Sequence, residues 1–167
     1  MPDDGWSCRS CGERHEGLPF GYSVPAPVHW SPELDGEDAS ELGEEVCVIR
    51  DEHFFLRARI VLPVLDAVDD FEWGVWVSLS RENFMRTAEL WATEGRELDP
   101  PAFGWLSVEL PYPESTVNLK TRVHTQPVGV RPLVELEPTG HRLAVEQRSG
   151  ITVARVRQLA EIVLHGD

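Results

Sequence analysis

The run from His53 to Val61 constrains this chain more than any other segment. Phe54, Leu56, Ala58 and Ile60 alternate with Phe55, Arg57, Arg59 and Val61. One parity is apolar and the other mixed, the pattern of a strand covered mainly on one face. Pro63 limits further pairing. A second run, Val46 to Arg50, precedes it across Asp51 and Glu52, so a hairpin is expected although no glycine serves the turn. Phe71 to Leu79 reads FEWGVWVSL and is a third strand, with Trp73, Val75, Val77 and Leu79 on one face. Gly74, Trp76 and Ser78 take the other, where Trp76 is either buried by a second cover or lines a groove.

Ser80 is placed to cap a helix through Asn83, and Leu79 and Phe84 have the spacing of a hydrophobic staple. Phe84, Ala88 and Trp91 continue an apolar stripe. Further strands are expected at 103–109, 117–125, 131–137 and 142–148, punctuated by proline and glycine. Thr152 caps a last helix, whose apolar face is Val156, Leu159, Ala160 and Val163 and whose stop is Gly166. The expected fold is α+β: a single domain over 1–167 with a mainly antiparallel sheet, about two helices and an N-terminal Cys-x-x-Cys knuckle. Residues 1–32 form the knuckle and an irregular segment, and residues 33–45 an acidic connection within the domain.

Fifteen Lys and Arg stand against 29 Asp and Glu, a formal charge of -14. That balance disfavours nucleic acid as a partner and suits a basic protein partner. No apolar run is long enough to span a membrane, and the acidic start MPDDGWSC does not read as a secretory signal, so a cytoplasmic protein is expected.

The chemistry concentrates at three cysteines, Cys8, Cys11 and Cys47. An odd count argues against a full disulfide framework. Two thiolates spaced Cys-x-x-Cys, with Gly12 following, can converge on one ion. The expected site is zinc held by Cys8, Cys11, Cys47 and one histidine, His53 in preference and His15 as the alternative, with His29 also available. Four protein ligands leave no position for water, which makes the zinc structural rather than catalytic. Reduced structural cysteines, or redox chemistry at Cys8 and Cys11, are the competing readings.

Weaker constellations exist. Lys120, Arg122 and His124 share a strand parity, and Arg131 could join them from the next strand as an anion site. Cross-strand pairing with carboxylates is the plainer use of these cations. His141 with Glu146, and Ser115 with His124 and Glu135, can be written as catalytic groups, but no spacing demands either.

The segments CRSCGERHEGLPF, CVIRDEHFFLRARIVLPV, WGVWVSLSRENF, FGWLSVELPYPESTVNLKT and RPLVELEPTGHRLAVEQRSGIT resemble the bacterial family known as domain of unknown function 2199. The resemblance runs from Cys8 to about His165 and includes Cys8, Cys11, His15, Cys47 and His53. It implies a small single-domain bacterial protein and supplies no activity, substrate or catalytic residue. The family tends to carry glycine where this chain has Ala58. The functional expectation is a soluble zinc-stabilised protein-interaction module, with a metal-assisted hydrolase or thiol-dependent enzyme as the alternative.

Overall fold

The computed structural model describes residues 5–8, 14–15 and 17–166. Its strands in chain order are β1 (Trp6–Ser7), β2 (Arg14–His15), β3 (Gly21–Ser23), β4 (Glu41–Leu42), β5 (Val46–Ile49), β6 (His53–Leu62), β7 (Phe71–Leu79), β8 (Ala102–Leu106), β9 (Lys120–His124) and β10 (Leu133–Leu136). The α-helices are α1 (Arg81–Glu89), α2 (Arg142–Ser149) and α3 (Val153–His165). The α+β class therefore holds, with three α-helices among the described residues rather than two.

The expected β5–β6 hairpin is present, and β6 pairs antiparallel with β7 along its length, from Phe54↔Leu79 to Leu62↔Phe71. The turn without glycine places Arg50 and Asp51 at φ 52° and 53°, in the left-handed region. Its amides are held from outside: Arg50 N donates to Ser40 Oγ and Asp51 N to Ala39 O. Those bonds over-determine a conformation that side chains otherwise resist.

Strand order is β3-β7-β8-β9-β10-β6-β5-β4, and the extra β6–β7 pairing closes β6, β7, β8, β9 and β10 into a five-stranded barrel. Closure runs through a parallel contact of Leu133 with Arg59, and β3 also lies parallel to β7. The sheet is thus mixed, although its other ladders are antiparallel. The apolar parity of β6 and the Trp73 parity of β7 fill the interior, with Ala58, Ile60 and Val75 fully buried. The Ala58 methyl belongs to that core.

The second face of β7 is covered too. Trp76 is buried, donates from Nε1 to Val24 O at 3.0 Å, and carries the Arg57 guanidinium 5.5 Å from its ring. Gly74 permits this cover, because a Cβ there would stand 2.5 Å from Ser23 Oγ on β3.

Both expected caps form: Asn83 N donates to Ser80 Oγ, Arg155 N to Thr152 Oγ1, and Gly166 ends α3 at φ 73°. Two expectations are corrected. Residues 142–148 are helix, not strand, because the His141 ring caps Leu143 N and the buried side chains follow helical spacing. Trp91 lies beyond α1 and Val163 faces outward, each about two-fifths exposed. The acidic segment 33–45 is built into the fold: Leu34 is buried in the core, and Glu37 and Glu45 pair with Arg50 and Arg131.

Candidate metal centre

The N-terminal hairpin is short, with Trp6 opposite His15 in the β1–β2 register. Two residues per strand cannot fold alone. The hairpin gains its stability by docking: Trp6, Cys8 and Ala160 of α3 form a small buried cluster separate from the barrel core. Trp6 also donates from Nε1 to Gly17 O at 3.3 Å and packs its ring 5.0 Å from that of His15.

This docking brings Cys8, His15 and His165 together. Their candidate ligand atoms all lie within 4.8 Å of one another. Cys8 Sγ is 3.2 Å from His165 Nε2, and the two imidazole rings are 6.3 Å apart. Cys8 is buried, His15 half-buried and His165 exposed at the end of α3. A tetrahedral ion with bonds of about 2.0–2.3 Å needs its ligand atoms about 3.3–3.8 Å apart, so small adjustments suffice. One thiol and two imidazoles are donors suited to a borderline-soft divalent ion. This group could hold a metal ion.

Of the four ligands expected from sequence, Cys8 belongs to this group and Cys11 lies outside the described residues. The structure does not bring Cys47 or His53 to it. Cys47 is fully buried on β5 opposite Phe55, in the main core, and burial pushes its thiol up to about 11. His53 starts β6, exposed, beside a cavity that His29 also lines. His29 stacks on Phe55, its ring centre 5.5 Å away. The alternative histidine, His15, is the one that joins Cys8. Sequence reasoning missed His165, which reads as an ordinary basic residue in a last helical turn. The available signal was that a C-terminal helix with an apolar face must dock somewhere.

The other constellations separate. Lys120, Arg122 and His124 do share the outer face of β9, beside Trp105 and Phe103, but His124 contacts Glu135 at 3.0 Å. Arg131 instead grips Glu45 through Nε and Nη2. Ser115 donates to Glu109, away from the His124–Glu135 pair. His141 Nδ1 accepts from Leu143 N, which leaves its Nε2–H to face Glu114 O at 3.1 Å. Glu146 takes Tyr112 Oη–H on one oxygen and Arg155 on the other. Burial first, then the Glu146 bond, raises the Tyr112 phenol above its ordinary range. These residues form a buried network in which each oxygen of Glu146 already holds a partner.

Over residues 7–151 the sequence matches the family described as uncharacterized protein conserved in bacteria, DUF2199. The chain belongs to that family. No curated protein and no solved structure matches it significantly. The match includes Cys8 and His15 and stops before α3, so the metal group joins family-matched residues to one outside the matched span. Among the described residues no helix is long and apolar enough to cross a membrane.

Proposed function

We propose that the protein is a zinc-stabilised interaction module, in which one zinc ion fastens the N-terminal hairpin to the end of α3. The convergence of Cys8, His15 and His165 carries this reading. Cys11 is the proposed fourth ligand, on its Cys-x-x-Cys spacing alone. Two thiolates and two neutral imidazoles would balance the charge of a divalent ion, whereas one thiolate leaves a net positive site. A closed Cys₂His₂ set is structural. Burial of the Cys8 thiol also argues against a thiol-dependent enzyme, because a substrate has no approach to the sulfur. The exposed carboxylates Glu33, Asp35, Asp38, Glu41 and Glu44 support a basic protein as the partner.

Elemental analysis with native mass spectrometry of reduced protein tests the site. The expected result is one zinc per chain, lost in Cys8→Ser, Cys11→Ser and His165→Ala and retained in Cys47→Ser. Zinc-free wild type, or zinc retained in His165→Ala, overturns the proposal. Zinc retained in Cys11→Ser with water as fourth ligand would move the reading to a metal-assisted hydrolase.

A further inference from the structure

At one end of the barrel β6, β8 and β10 begin and β7 and β9 finish. That end is a cavity of about 650 Å³. Its floor is barrel interior: Leu56, Leu79, Ala102 and Val123. Trp91 and the 125–132 segment form its rim, and Trp91, Val128 and Val130 there are each about two-fifths exposed. A concave apolar site of this size in a barrel mouth is a common place for a small ligand.

The polar part of the lining has one dominant sign. Arg59, Arg96 and Arg131 line the cavity beside one carboxylate, Glu45, in a chain whose net charge is -14; Arg59 is paired outside it, with Glu72 at 2.9 Å. Arg96 is the unusual member. It is only 8% exposed, and among the described residues no carboxylate comes within ion-pair distance of it. Its Nε donates to Gln126 O, Nη1 to Trp91 O, and Nη2 to Pro127 O and Val130 O. Carbonyl dipoles and the Trp91 ring, 5.7 Å from the guanidinium, therefore offset a buried positive charge that meets no carboxylate, and an anion in the adjoining cavity would offset it further. Arg131, more exposed, spends Nε and Nη2 on Glu45 and has Nη1 to offer.

We propose that this barrel mouth binds a small organic anion with an apolar body. Its carboxylate meets Arg131, and its tail lies on Leu56, Leu79, Ala102 and Val123. Glu45 then acts as an internal competitor, occupying Arg131 when the ligand is absent. This site is independent of the metal group, and its test does not depend on zinc.

The probes are decanoate and decanol below their aggregation limits, titrated calorimetrically into the full chain, with inorganic phosphate as a third titrant. Decanoate is expected to bind at least tenfold more tightly than decanol, and phosphate far more weakly than decanoate. Arg131→Met should weaken decanoate about tenfold and leave decanol unchanged. Glu45→Gln should strengthen decanoate severalfold by releasing Arg131, a direction that mere loss of structure would not produce. Ala102→Leu, filling the mouth, should weaken both alkyl probes. Equal binding of decanoate and decanol, no binding of either, phosphate binding as tightly as decanoate, or weaker decanoate binding in Glu45→Gln overturns the proposal.

Discussion

Glu146 Oε2 lies 2.7 Å from Arg155 Nε, and each side chain is less than one-tenth exposed. The pair joins α2 to α3 and is buttressed by Tyr112, which donates to the other Glu146 oxygen and takes a hydrogen bond from Trp73. A buried pair of this kind is costly to break from one side, because the remaining charge is stranded. Glu146→Leu should lose about 3–5 kcal/mol in urea denaturation. The double variant Glu146→Leu with Arg155→Met should recover most of that loss, since two apolar side chains remove the stranded charge. A double variant no more stable than Glu146→Leu would contradict this account.

Gln147 does the work of a strand at the edge of β10. Its Oε1 accepts from Leu136 N at 2.8 Å, and its Nε2 donates to Val134 O at 2.7 Å. Parallel closure of the barrel reaches β10 only at Leu133, so these backbone groups need another partner. Gln147→Leu should cost about 2–4 kcal/mol by leaving two backbone groups unpaired. Amide exchange at Leu136 should accelerate along with it. Unchanged exchange there would show that other groups satisfy the strand edge.

Gly150 joins α2 to α3 at φ +80°, and a Cβ there would stand 2.8 Å from Leu65 Cδ2 and 3.1 Å from Pro63 O. The backbone contact cannot swing aside, because Ile151 N donates to Pro63 O and Leu65 N to Ile151 O. Gly150→Ala should destabilise by about 1–3 kcal/mol, combining left-handed strain with the close contact. A thermal melt reads this directly, and a melting temperature equal to wild type would refute it.

Burial holds the Cys47 thiol near 11, above its ordinary value of 9.0. The folded state therefore keeps a proton that the unfolded chain releases first. The resulting stability is complete below about pH 9 and is lost as pH rises through about 11. Between those limits, Cys47→Ala should show a flatter decline in unfolding free energy than wild type. Identical slopes would mean that Cys47 ionises alike in both states. At pH 8 the native thiol should also resist iodoacetamide and react once urea is added.

Local rules carried much of this fold. Alternation located β6 and β7, and capping chemistry at Ser80 and Thr152 located the starts of α1 and α3. Alternation failed at α2, where Leu143 and Val145 mimic a strand but His141, as cap, sets helical geometry. Barrel closure was not legible, because a parallel contact between Arg59 and Leu133 depends on assembly rather than local pattern. The candidate site was half legible. Cys8 and His15 stand out by spacing and residue type, whereas His165 becomes a neighbour only when α3 docks on the hairpin.

The contact between Cys8 and His165 spans 157 positions of sequence. At translation rates of about 5–20 residues per second, Cys8 leaves the ribosome roughly 8–30 s ahead of its partner. Throughout that interval its sulfur has no α3 against which to hide, and oxidants, scavenging metals and other thiols compete for it. The interior position of this cysteine is thus a property of the finished molecule, while the nascent chain carries it as an open thiol.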